Sequence, residues 1–258
     1  MESTPPPAPA RPRVRGIYLL PNLFTTGGLF AGFYAIIAAA QGHFAEACIA
    51  VFVAAVLDGI DGRVARLTNT QSDFGMQYDS LADLISFGLA PSMIMYHWAL
   101  SAMRLDGATP GKLGWIVAFL YAACAALRLA RFNSQVGQVD KRWFIGLASP
   151  AAAGLVVSFV WTCVSFDLSG DALRYPALAV TVAAALMMVS PLRYYSFKGG
   201  GPRNDRVPFL AIVLVLAVVV AIAIDPPTVL LAITALYALS GPGTWLWRRV
   251  RRQPEALA

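Results

Sequence analysis

The chain has 258 residues, 58% of them hydrophobic and only 13% charged, against the roughly 25% charged residues of a soluble domain. That composition excludes a water-soluble globular protein and predicts one that crosses a membrane several times. The net charge of +6 does not indicate nucleic acid, because the basic residues stand scattered at the ends of apolar runs.

Along the chain, Met1 to Ala10 is a proline-rich, disordered tail without the charged start and short apolar core of a cleaved signal. Arg11 to Leu20 mixes three arginines with Val14, Ile17, Tyr18, Leu19 and Leu20. It reads either as an interfacial helix on the inner leaflet or as a basic flank of the first span. Residues 1–19 thus form a tail, 20–247 a single transmembrane domain, and 248–258 a basic cytoplasmic tail. A bilayer core takes ~20 mostly apolar residues per helix. About eight spans follow, near 20–41, 43–66, 76–103, 112–134, 145–166, 172–191, 205–224 and 227–247. The fold class expected is an all-α polytopic membrane helix bundle.

Local signals sharpen this outline. Gly28 and Gly32 form a small-x-x-x-small pair suited to helix packing. Pro91, Pro150 and Pro208 mark helix starts or kinks. Cys48, Cys124 and Cys163 lie in separate apolar segments without metal-type spacing, and read as small packing residues. His43 and His97 are single residues beside aromatics and read as structural.

Charge orients the bundle. With the N-terminus inside, 17 of the 20 basic residues fall on the cytoplasmic side, leaving Arg104, Lys112 and Arg174 outside. The positive-inside rule therefore puts both termini in the cytoplasm.

One stretch breaks the apolar pattern. The 26 residues from Asp58 to Asp83 hold five of the fourteen acidic side chains. Each ionisable group at the centre of a span costs at least ~2.5–3.5 kcal/mol, so together they need a compensating reason. Asp58 and Asp61 share a helix face, and Gly75, Asp79 and Asp83 share a face of the next helix. Two carboxylates from each of two antiparallel neighbours converge, and hard divalent ions such as Mg²⁺ or Mn²⁺ suit such a cluster. Asp73 lies about 120° off the Asp79 face and takes a structural or capping role. Small residues at Gly59, Gly62, Ala65 and Gly75 leave room for a ligand, and Arg63 and Arg66 supply charge for phosphate. The same acids also fit ion pairing with Arg63 and Arg66, or the path of a cation-coupled transporter.

Written D-x2-D-G-x2-A-R-x8-G-x3-D-x3-D, the residues Asp58, Asp61, Gly62, Ala65, Arg66, Gly75, Asp79 and Asp83 resemble the signature of the CDP-alcohol phosphotransferase family at every specified position. The resemblance implies a membrane enzyme that moves a phosphate-linked group from a CDP-activated donor to an alcohol and releases CMP. It implies two divalent cations held by Asp58, Asp61, Asp79 and Asp83, with Asp83 also the general base. Gly62, Ala65 and Arg66 would contact the cytidine diphosphate, with Asp58 and Gly75 beside it, and a homodimer is implied as well. Asn22 and Thr25 read equally as nucleotide hydrogen-bonders or as helix-capping residues after Pro21.

Three further stretches resemble the phosphatidylserine-forming branch: Asp79 to Gly88, Arg128 to Asn133, and Pro21 to Thr25. So does Tyr194 to Lys198. The expected reaction transfers a phosphatidyl group from CDP-diacylglycerol to L-serine in the inner membrane, with the site facing the cytoplasm. Arg128, Arg131, Asn133 and Lys198 are then candidates for serine or lipid-phosphate binding, since two arginines one turn apart can hold a carboxylate. The same arginines also satisfy the positive-inside pattern alone. Glycerol 3-phosphate, an inositol phosphate or choline are alternative acceptors for the same chemistry. Neither histidine begins an H-x-K-x4-D pattern, which excludes the soluble, phospholipase-D-like route to the same lipid.

Overall fold

The computed structural model describes residues 19–68, 72–134, 143–195 and 209–252. The interfacial reading of Arg11 to Tyr18, Pro208 and Lys198 lie outside them. Helix α1 (Leu19–Ala40) turns at Gly42, whose φ of +84° suits glycine, into α2 (Phe44–Leu67). The pair packs through small residues, among them Ala31, Ala35 and Ala38 on α1 and Ala47, Ala50 and Ala54 on α2, all buried. Small side chains let backbones approach where lipid offers no hydrophobic drive to association.

The next rod is interrupted. Helix α3 (Asp73–Asp83) passes into a π-helical turn (Leu84–Leu89) and then α4 (Ala90–Trp98), followed by a 3₁₀ segment (Leu100–Asp106). Pro91 has no N–H for the carbonyl of Phe87, and the buried Tyr121 hydroxyl donates to that oxygen at 3.3 Å. π-turns of this kind concentrate at functional sites, and this one starts directly after Asp83.

Helix α5 (Ala108–Ser134) supplies Tyr121 and runs back to the acidic end of α3. Strand β1 (Trp143–Ile145) follows, then α6 (Ser149–Ser165) and α7 (Arg174–Val189), and β2 (Arg193–Tyr195) pairs antiparallel with β1. This two-stranded ribbon is a short addition to described residues that otherwise form the expected all-helical bundle. Gly146, at φ +81°, ends β1, and its N–H donates to Leu192 O at 2.8 Å. The helix expected from residue 145 therefore begins at Ser149. Across the bundle Arg174 donates to both carboxylate oxygens of Asp106, at 2.5 and 2.7 Å, joining α7 to the 3₁₀ segment. That guanidinium holds the Asp106 carboxyl below its ordinary range.

Helix α8 (Phe209–Ile224) buries no residue and leans chiefly on α9 (Pro226–Arg252) among the described residues. A helix apolar on every side and without protein cover faces lipid. Helix α9 continues through Arg252, so the start of the basic tail at residues 248–252 is helical. Its Thr234 meets Ser158 of α6 hydroxyl to hydroxyl at 3.2 Å. Among the described residues three helices are long and apolar enough to cross a membrane, at Pro21–Ala40, Ala108–Ser134 and Pro226–Trp247. The molecule is a membrane helix bundle. All three cysteines are buried and free.

Candidate active site

The acidic ends of α2 and α3 meet beside the start of α1. Carboxylate oxygens of Asp58, Asp61 and Asp79 lie within 4.8 Å of one another. Asp83 stands beside them, lining the same small cavity. All four line one small cavity of about 10 Å³, closed by Thr25, Gly28, Ser86 and Phe87. Asp61 is 95% buried, and Thr25 donates to it at 2.9 Å. An all-oxygen set packed this closely in a span fits a hard divalent cation, because unneutralised repulsion would force it apart.

A larger cavity of about 480 Å³ opens next to the acids, within the ~300–1,000 Å³ usual for small-molecule sites. Asn22, Thr25, Gly62, Ala65, Arg66 and Gly75 all line it, together with Asp61 and Asp79. Asp58 lines the smaller cavity. A Cβ on Gly62 would meet nothing within 4 Å, so this glycine keeps the wall open. Gly75 is the opposite case. A Cβ there would stand 3.2 Å from Ser72 Oγ and 3.6 Å from Asn22 Oδ1. Arg66 is steadied by its own helix, Nε donating to Gly62 O at 2.8 Å.

Pro21, Ser72, Asp73 and Met76 also line this cavity and carried no assignment there from sequence. The N-cap of α3 is Ser72, which accepts from the Gly75 N–H at 3.0 Å, so capping falls one residue before Asp73. An S-x-x-G stretch ahead of a helix was the available signal. Asp73 is not one of the three aspartates whose oxygens lie within 4.8 Å of one another.

The candidates on α5 lie at the same end. Asn133 donates to Ser80 Oγ of α3 at 2.9 Å, between Asp79 and Asp83 in sequence. Arg128 is buried, donates from Nη1 to Ser149 Oγ at 3.1 Å and lies within electrostatic reach of Asp83. Arg131 instead donates to the Ile145 carbonyl at 2.7 Å and to those of Val189 and Met188 at 3.4 and 3.5 Å. Ser149 was not singled out from sequence, since a serine before proline reads as an ordinary helix start.

Crowded acids, a nucleotide-sized cavity and a lipid-facing bundle define a membrane-embedded transferase for phosphate-bearing substrates. The chain belongs to the CDP-alcohol phosphatidyltransferase family, whose match covers residues 18–239. It is 38% identical over 243 residues to a CDP-diacylglycerol–serine O-phosphatidyltransferase of Helicobacter pylori, covering 92% of this chain and 95% of that protein. The same name attaches to a Methanocaldococcus jannaschii protein 32% identical over 191 residues, covering 74% of this chain and 80% of that one. An archaetidylserine synthase of Methanothermobacter thermautotrophicus is 31% identical, with 73% and 75% covered.

Proposed function

We propose that this protein transfers the phosphatidyl group of CDP-diacylglycerol to the hydroxyl of L-serine, giving phosphatidylserine and CMP. The observation that carries this reading is the near full-length likeness to the Helicobacter pylori enzyme of that name, joined to a cluster of four aspartates. A cation-coupled transporter would account for the acids but not for the eight-position signature around them.

In this reading Asp58, Asp61, Asp79 and Asp83 hold two divalent cations, Mg²⁺ or Mn²⁺. When bound, these would polarise the pyrophosphate and neutralise charge developing on CMP. Asn22, Thr25, Gly62, Ala65, Arg66 and Gly75 cradle the cytidine diphosphate in the larger cavity. Asp83 accepts the proton of the serine hydroxyl as that oxygen bonds to the lipid-side phosphorus, and the bond from phosphorus to the CMP oxygen breaks. Arg128, with Asn133 nearby, faces the acceptor. Acyl chains enter sideways between helices from the bilayer.

Incubation of the purified protein with CDP-diacylglycerol and each candidate alcohol tests the acceptor. CMP release and phosphatidylserine formation are expected with L-serine and not with glycerol 3-phosphate, inositol phosphate or choline. A preference for a phosphorylated alcohol would overturn the serine assignment.

The same reading makes residues 20–247 one catalytic domain of eight spans in the cytoplasmic membrane, with both termini and the site inside and two copies forming a homodimer. A cysteine probe replacing Arg252, in a protein freed of its three natural cysteines, is expected to label only after the membrane is permeabilised. Labelling from the outer face of intact cells would reverse the topology.

A further inference from the structure

Asp79 and Asp83 end α3, and the π-turn Leu84–Leu89 follows before α4 resumes the rod. In an unbroken α-helix Asp83 would share a face with Ala90 and Ile94, two and three turns further on. Both of those residues are fully buried in the core. The π-turn reaches back five residues instead of four, as the Ala90 N–H does to Ile85 O, and so inserts one residue. One residue is about 100° of helical phase. The inserted residue takes the carboxylates off the core face while Ala90 and Ile94 stay on it.

Two ties hold that turn from opposite sides. Towards α1, Ser86 donates to Gly28 O at 3.1 Å. Towards α5, the fully buried Tyr121 donates its hydroxyl to Phe87 O at 3.3 Å. Helix α5 comes this close because Gly88 has no side chain, and a Cβ there would stand 3.2 Å from Ala125 Cβ. Ser86 and Phe87 both line the small cavity of the acids, so each tie ends in its wall.

The Phe87 carbonyl makes the tyrosine matter. An α-helix would serve that oxygen from residue 91, and Pro91 has no N–H to give. No water reaches the interior of the bundle to replace it, and a buried carbonyl without a donor is costly. The Tyr121 hydroxyl fills this gap from a neighbouring helix, while lining neither cavity itself.

Resting on the two-cation reading above, we propose that Tyr121 and Ser86 are positioning residues for Asp83. Their hydroxyls clamp the π-turn from α5 and α1, and the turn sets the angle at which Asp79 and Asp83 meet Asp58 and Asp61. Tyr121 acts only through the Phe87 backbone, and touches neither substrate nor cation.

The test uses the full-length protein in detergent with CDP-diacylglycerol, L-serine and Mn²⁺. Tyr121→Phe keeps the ring and removes only the hydroxyl. Thr234→Val is its match, removing a hydroxyl from the Ser158 pair between α6 and α9, which lines neither cavity. Both are expected to lower the melting temperature. Only Tyr121→Phe should lower kcat, by about tenfold, the scale of one buried hydrogen bond. Its Mn²⁺ affinity, followed by electron paramagnetic resonance, should fall by a similar factor. At saturating Mn²⁺ its KM for L-serine and for CDP-diacylglycerol should stay at the wild-type values. Ser86→Ala, which cuts the opposite tie, should move kcat and Mn²⁺ affinity in the same direction.

Wild-type kcat and Mn²⁺ affinity in Ser86→Ala, or in a folded Tyr121→Phe, would overturn the clamp and leave the synthase reading standing. Equal losses of kcat and Mn²⁺ affinity in Thr234→Val would also overturn it, because any loosening of the bundle would then suffice. A raised KM for L-serine at unchanged kcat in Tyr121→Phe would place the tyrosine at the acceptor instead. Full wild-type activity in excess chelator would overturn the two-cation reading and this assignment with it.

Discussion

Asp58→Asn, Asp61→Asn and Asp79→Asn are each expected to lower CMP release by roughly a hundred- to a thousandfold, the scale for losing one charge-stabilising group in a water-poor site. Each removes one negative charge from a cluster whose oxygens lie within 4.8 Å of each other. The amide is nearly isosteric, so membrane insertion and thermal stability should hold. Chelation of divalent cations should abolish wild-type activity, and Mg²⁺ or Mn²⁺ should restore it. Mn²⁺ binding followed by electron paramagnetic resonance should weaken in all three variants, a readout independent of turnover. Asp73→Asn, outside the cluster, should keep its Mn²⁺ affinity. Full activity of the wild type in excess chelator would end the metal reading.

Gly32→Val is expected to cost about 1–3 kcal/mol of stability, the usual range for overpacking, and to reduce activity further by displacing the turn next to Asp83. A Cβ at this position would stand 2.5 Å from Ser86 Oγ and 2.8 Å from Ser86 Cα. Backbone has to move, and the backbone that moves is the π-turn after Asp83. Ser86 is itself fixed there, donating to Gly28 O at 3.1 Å. Gly28→Ala is the control, since its Cβ would come no nearer than 3.7 Å to Ala54 O. Thermal unfolding in detergent beside CMP release reads both effects. A Gly32→Val protein as stable and active as Gly28→Ala would refute the close crossing of α1 over the turn.

The carboxylate cluster was legible because helical period is a local property. Asp58 with Asp61, and Asp79 with Asp83, fall on common faces whatever surrounds them, and the membrane makes such charges too costly to be incidental. The larger cavity was legible in part, through Gly62, Ala65, Arg66 and Gly75 at their signature positions. Ser72 was not, because its neighbour Asp73 is an equally good capping residue in sequence, and only the backbone decides which of the two turns outward. The ribbon was hidden for a similar reason. Trp143–Ile145 and Arg193–Tyr195 are three-residue strands too short to display a period, and neither is stable without the other.

By itself the sequence determined a membrane-spanning helical protein, the faces its acids occupy, and the family signature they belong to, since composition and spacing along one helix need no knowledge of its neighbours. Only the tertiary structure decided what the long-range partners do. It gave Asp61 its Thr25 bond, 36 residues away, and set Arg131 on carbonyls up to 58 residues distant. It brought the Tyr194 hydroxyl to Ala238 O, 44 residues further along the chain. Two arginines identical in kind and one turn apart therefore diverge in role. An arginine takes up whichever acceptors the packed helices bring within reach, and these are set by the bundle rather than by neighbours in sequence.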